Sequence, residues 1–403
     1  MRVWQHLYGL AAVVLLALLP VDSALAVSIS GRSSTEIEWF DTADGETAVP
    51  GYEYLLVNVR DIDEAGLDFR GYGRLADDIN NEEKIDSRLY YAYFEKKGVV
   101  DGLDLRLGRQ FVATAAGASL MDGLHLVYEG LGPFGVTLFG GGDVTYYEGY
   151  NAKDIIDGIE VSASLIDDLE LDISYVQKWD ESELTHELAG FAADYDYKRL
   201  LNVYAEMQYD MLSEAVSYGL AGARYHRAHN WSLQAEYLYS LPIFSSTSIY
   251  SVFSVSKYEE LSTQLDLHIA RGVRGFLRYV LEMYEEYNNA RVYELGFEKI
   301  RTDRFAGYVS AVYRDDDGGE ELRGVKMHGS WKLNDMFRAG AGMHLDVLER
   351  RIEEDDETTS RRLWLDLVAS INKTTSVEAK VERTDSELWD EYYRGRVRLN
   401  ILF

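Results

Sequence analysis

From Val27 onward the chain is written in segments of about ten residues in which apolar and polar side chains alternate. Leu67, Phe69, Gly71, Gly73 and Leu75 alternate with Asp68, Arg70, Tyr72 and Arg74. Ile159, Val161, Ala163 and Leu165 do so with Glu160, Ser162 and Ser164, and Leu169, Leu171, Ile173 and Tyr175 with Glu170, Asp172 and Ser174. The same beat returns at Trp231 to Tyr239, Leu265 to Ile269, Leu363 to Ala369 and Val377 to Val381. Side chains that change sides at every residue belong to extended strands, because only a strand has period 2. Spacers of two kinds separate the segments. Tight ones (Asp63 to Gly66, Gly130 to Pro133, Asp167-Asp168, Ser213 to Ala215, Arg301 to Asp303, Asn334-Asp335, Asn372 to Thr374) fit hairpin turns. Longer, often acidic ones (Asp41 to Gly51, Ala76 to Ser87, Asp180 to Arg199, Asp315 to Glu321, Glu349 to Ser360, Thr384 to Tyr392) alternate with them. Tyr225 to His229 reads as a short connection on the long-loop side.

The last stretch sharpens this pattern. Val397, Leu399, Ile401 and Phe403 fall on one face of a strand, Arg396, Arg398 and Asn400 on the other. A bare apolar ridge opposite arginines has a simple cause in a transmembrane β-barrel, where one face meets lipid and the other a wet lumen. The stretch resembles the C-terminal signature of bacterial outer-membrane proteins, a last strand with alternate apolar positions and a final Phe. That resemblance implies that Val397, Leu399, Ile401 and Phe403 are read by the barrel-assembly machinery. Leu103-Asp-Leu-Arg-Leu-Gly-Arg-Gln110, with Asp122-Gly123 after it, also resembles strand motifs of porin-like barrels. The fold expected is all-β: an antiparallel up-and-down transmembrane barrel of about 22 strands, within 18 to 22. Its rival is a soluble β-sandwich or β-helix. Strand Leu103 to Phe111 breaks the rule, since Arg109 takes a lipid-facing parity that a bulge at Gly108 would re-aim.

Residues 1–26 read as an export signal: Arg2, the uncharged run Leu10 to Leu19, Pro20 and an Ala24-Leu-Ala26 cleavage site. Residues 27–403 then form a single outer-membrane barrel domain. No later stretch approaches the ~20 apolar residues of a spanning helix. Zero cysteines exclude disulfides, covalent haem attachment and thiolate metal sites. Thirty tyrosines and 34 glycines against four prolines suit strands, and a net charge of −29 argues against nucleic acid and anionic lipid heads as partners. Short turns are expected on the periplasmic side, with both termini, and the acidic loops outside, against lipopolysaccharide.

No enzyme constellation, Ser-centred motif or phosphate loop is present. His226 and His229 form an H-x-x-H without a nearby third ligand, and Asp77 to Glu83 and Glu353 to Glu357 lack the Gly and spacing of a calcium loop. No cofactor is expected. The lumen-lining candidates are Arg70, Arg74, Arg106, Glu160, Glu170, Asp172, Glu236, Asp266, His268, Arg278, Asp366, Lys380, Arg396 and Arg398, which need water rather than lipid. Ala113 to Met121, small and apolar, and Asp180 to Arg199 are two loops that could fold inward to narrow a pore or else pack over the rim or on neighbouring subunits. The reading favoured is a porin-like channel passing small hydrophilic solutes or ions, with mild cation preference from acidic rings. A second is a structural sheath. A barrel of this width without a plug resembles the barrel component of porin–cytochrome conduits, which implies a separate multihaem partner. A third is a substrate-specific sugar or organic-acid channel, with Tyr72 and Trp364 in its lumen but no continuous aromatic track.

Overall fold

The computed structural model describes residues 27–403 except 43–44, 64–65, 81–82, 146–148, 228–229, 243–255, 301–302, 320, 351–356 and 387–390. The expected export signal lies outside the described residues. The chain forms β1 (Ser28–Asp41), a two-residue β2 (Thr47–Ala48), β3 (Pro50–Arg60), β4 (Leu67–Asp78), β5 (Arg88–Val100), β6 (Leu103–Thr114) and β7 (Gly117–Leu131). There follow β8 (Phe134–Thr145), β9 (Gly149–Ile166), β10 (Leu169–Asp180), β11 (Glu183–Tyr197), β12 (Leu201–Asp210), β13 (Ala215–Arg227), β14 (Trp231–Ser240) and β15 (Tyr258–Ala270). The circuit is completed by β16 (Val273–Tyr284), β17 (Ala290–Lys299), β18 (Phe305–Asp316), β19 (Glu321–Lys332), β20 (Phe337–Arg350), β21 (Glu357–Ser370), β22 (Thr375–Ser386) and β23 (Tyr392–Leu402).

Each long strand pairs antiparallel with the next, and β23 pairs with β1, so the 22 long strands close into an up-and-down barrel. At ~4.8 Å between strands and a tilt near 40°, such a ring is about 40 Å across. Closure is exact in register: Ile37 faces Val397 and Thr35 faces Leu399, while the Gly31 and Phe403 backbones bond both ways at 2.8 and 3.2 Å. Closing the sheet satisfies every edge, which is what a lipid surround demands of a strand-built span.

The apolar rows point out. Ile173, Leu365 and Phe111 expose 63, 61 and 61% of their surface, fractions that water would punish and acyl chains reward. A concavity of about 890 Å³ on this side, lined by Phe297, Val309, Met327 and Leu365, is a lipid-facing dip over Gly307 and Gly329 rather than part of the interior. One end of the barrel carries both Val27 and Phe403, here called the terminal end, and turns as tight as Asp167-Asp168 and Arg271-Gly272. In its 333–336 turn, Lys332 Nζ sits 2.6 Å from Asp335 and holds that carboxyl below its ordinary range.

Three expectations about spacers are corrected. Asp180 to Arg199 is no loop, since most of it is strand β11, turning at Glu181-Ser182 and Lys198 to Leu200. That inserts one crossing, so the turn at Ser213 lies at the end away from the termini, and the one after Arg227 lies at the terminal end. The alternation was blurred here for a reason: Leu188, Gly190 and Ala192 face the interior without being polar, because something covers them.

Candidate functional site

The cover is the β6–β7 hairpin. Its tip, Ala115-Ala116, bends off the wall into the barrel and lies on the inner faces of β9, β10 and β11. Glu160 takes the Ala115 amide at 2.9 Å, and Ser174 Oγ takes the Ala116 amide at 2.6 Å. A Cβ on Gly190 would collide with the backbone of both alanines, so only glycine lets the tip seat there. Beneath it Val112, Met121, Phe139, Ile156 and Val176 form a buried apolar cluster, with Leu188 against it. Beside this lies a cavity of about 430 Å³, bounded also by Lys178, His186, Gln208 and Asp210. Of the two loops expected to narrow the interior, Ala113 to Met121 folds inward and the other does not exist as a loop.

The rest of the inner wall is charged, and the register fixes who faces whom. On one sector, β8 to β15, the inward charges run from Asp143 through Glu160, Asp172, Glu206 and Glu236 to Asp266. Among the described residues only Lys178 and Arg224 bring full positive charges to it. Lys178 sits 3.4 Å from Asp143, and Arg224 bonds Gln234. Glu170 faces Asp194 across the β10–β11 pair, a like-charge contact. Glu236 takes the Tyr204 hydroxyl, and Gln264 donates to Asp266 at 3.1 Å.

The complementary sector, β16 to β23 with β1 to β6, is basic and aromatic, and it pairs its charges. Glu95, 2% exposed, lies 2.8 Å from both Arg70 and Arg106. Arg398 bonds Glu36, and Arg394 meets Glu38 at 2.9 Å. Lys380 contacts Glu382 at 2.5 Å, Arg362 joins the same carboxylate at 3.5 Å, and Lys326 lies 3.7 Å from Glu294. Arg278 is 3.8 Å from Glu260, at the join between the sectors, where His268 faces Arg274. His328 bonds Asp366 at 2.9 Å and stacks on Trp364, which Lys380 overlies at 5.2 Å. Arg396 stands between Glu38 and Lys380.

An aromatic track exists after all. Tyr52, Tyr54, Tyr72 and Tyr90 follow one another at 6.0, 6.5 and 4.8 Å between rings. Tyr91 and Tyr93 continue it at 5.9 and 5.8 Å. Arg74 lies 5.1 Å over Tyr52, and Arg106 5.8 Å over Tyr93. A register shift between Tyr72 and Gly73 is what brings Tyr91 and Tyr93 inward and leaves Tyr90 as the extra residue. Without that bulge the linear pattern puts Tyr90 on the wall and the other two in lipid, so the track cannot be read from spacing.

No three His, Cys, Asp or Glu side chains gather as metal ligands among the described residues. Asp78, the last residue of β4 and part of the Asp77 to Glu83 stretch, is 4% exposed and already takes the amides of Val49, Asn80 and Glu83. It organises the turn. His226 is described and faces Ser232, whereas His229 and residues 353–356 lie outside the described residues.

No protein-family profile matches the chain, and no curated protein matches it. Solved structures do. The copper transporter OprC aligns over 94% of this chain and 80% of its own, with a TM-score of 0.52 at 8% identity. The translocation pore of the P pilus usher PapC aligns over 93% of this chain and 99% of its own, with a TM-score of 0.50 at 11% identity. At such identities the likeness is one of fold: the chain is a large membrane-spanning β-barrel.

Proposed function

We propose that the chain is a porin-like channel of a bacterial outer membrane, passing small hydrophilic solutes or ions by diffusion, with mild cation preference. The terminal end would face the periplasm and the opposite loops the exterior, in contact with lipid and lipopolysaccharide. Val397, Leu399, Ile401 and Phe403 would serve as the recognition row for the barrel-assembly machinery. The observation that carries the reading is the inner wall itself, charged along its length and narrowed by a hairpin anchored across it. Side chains of that kind are stable only against water or a polar occupant. The fourteen lining candidates would be its contact surface. The acidic sector supports the cation preference, because carboxylates in a confined aqueous space raise local cation concentration.

The tyrosine track favours a second reading, a channel selective for ring-bearing solutes such as sugars or sugar-like acids, since aromatic faces hold such rings in passing. A sheath around a multihaem partner is less well supported. The basic sector meets its charges within the wall, and the hairpin occupies part of the interior that a partner would need. One recording separates the three. Purified chain in a planar bilayer should give steady channels whose reversal potential in a salt gradient has the cation sign. A silent barrel that conducts only with an added cytochrome, or anion selectivity, would count against this reading. Current blocked by a saccharide at millimolar levels would favour the second.

A further inference from the structure

One ion pair of the outer face stands among exposed leucines, well inside the strands rather than at a rim. Arg109 on β6 and Asp122 on β7 stand opposite each other, and the guanidinium Nε and Nη2 donate to the two carboxylate oxygens at 2.8 and 2.7 Å. The expected bulge at Gly108 is absent: the register with β5 and β7 runs unbroken through it, so Arg109 keeps the parity of Leu107 and Phe111. These neighbours, and Leu124 beside Asp122, are among the well-exposed apolar residues of the lipid-facing side. Across from Arg109 is Ala92, and across from Asp122 is Gly142, so no bulky side chain screens the pair. The two side chains are 19 and 30% exposed. Round the same side, the outward carboxylate of Glu53 takes the hydroxyls of Ser33 and Thr35 at 2.7 and 2.6 Å, in a row with Leu55 and Leu399.

A charged pair between leucine rows is a costly way to face acyl chains, and two apolar residues of similar size would serve lipid better. Fork-to-fork bonding uses two of five guanidinium hydrogens and half of the carboxylate's acceptor sites. A third hydrogen, on Nη1, goes to the Leu89 carbonyl at 3.4 Å, which leaves two hydrogens and half of the acceptor sites for a partner.

We propose that the outer face of β5 to β8, centred on Arg109 and Asp122, is an interface with a second copy of this chain. The inference rests on the membrane-spanning channel reading. The occupant follows from the chemistry of the pair: carrying both signs side by side, it is complementary to itself, and a two-fold axis brings each Arg109 to the Asp122 of the other copy. A phosphate headgroup would instead call for cations alone. Ala92 and Gly142 leave the recess into which the facing pair can reach.

The absence of cysteine gives a clean test. Leu107→Cys on this face and Leu365→Cys on β21 are compared in native outer membranes under mild oxidation, with the mass of the unmodified chain measured in nanodiscs. The expectation is a multimeric mass, covalent dimers from Leu107→Cys and none from Leu365→Cys. The double variant R109L/D122L should cut dimer yield at least about tenfold, the order expected for loss of close charge pairing across an interface. It should still migrate as a folded barrel and conduct like the parent, because removing both partners leaves no orphaned charge. A single-copy mass, equal cross-linking at both positions, dimers that survive the double variant, or a disulfide adduct with another protein in place of the dimer would each overturn the proposal. A barrel that conducts normally as one copy overturns the interface and leaves the channel standing.

Discussion

The two sectors of the inner wall solve the same problem differently. Both carry charge into a strand-built interior. From β16 round to β6 carboxylates such as Glu36, Glu38, Glu95 and Glu382 have a guanidinium or ammonium within the wall. From β8 to β15, apart from Asp143 beside Lys178 and the join at Glu260 and Asp266, carboxylates instead face amides, hydroxyls and one another: Glu160 an amide, Glu236 a phenol, Glu170 Asp194. The paired sector therefore keeps its charges for architecture, while the acidic sector leaves its field directed at whatever crosses the interior. Stability should reside in the first and selectivity in the second.

That division can be broken in four ways. The largest effect should come from Glu95→Ala, which strands two arginines. The cost expected is about 2–3 kcal/mol, at or below the low end for breaking a buried pair because both guanidinium groups are over a third exposed. Urea unfolding in detergent would read it, and conductance of the surviving barrels should change little. Gly190→Leu comes next. It denies the hairpin its seat, costs about 1–3 kcal/mol by overpacking, and should raise single-channel conductance as the tip is expelled. Unchanged conductance would mean that the tip does not narrow the path. Third, D172N/E206Q/E236Q should move the reversal potential toward zero with little loss of stability. The opposite result, a large stability loss with selectivity intact, would reverse the roles of the sectors. The smallest change is expected for Tyr72→Ala, which weakens block by ring-bearing solutes by about 0.5–1.5 kcal/mol if those rings stack on the track. Its ion current should stay the same.

Much of the fold was legible because lipid imposes a strict rule. Leu363, Leu365 and Leu367 alternate with Arg362, Trp364 and Asp366, and the register seats them as that alternation requires. The reading failed where the interior is locally dry. In β11, Leu188 points inward onto the apolar cluster, while outward Glu187 bonds Tyr175. Both break the polar-in, apolar-out code, so a strand looked like an acidic loop. The other failures were bulges. One extra residue at Tyr90 turns two tyrosines inward, and its absence at Gly108 leaves Arg109 outside. Which residue of a strand is the surplus one depends on its neighbours, which linear spacing does not contain.

The seam has a consequence for biogenesis. Asn400 reaches Ser34 across 366 residues of sequence, and Arg398 reaches Glu36 across 362. Neither rim of the sheet can be capped until β23, the last strand, has been made. Everything before that moment is a curled ribbon with two hungry borders, open to any other strand it meets. Long-range joins of this kind are entropically slow. A copy halted a few residues short therefore keeps an unpaired rim, and it should be cleared by proteases rather than accumulate.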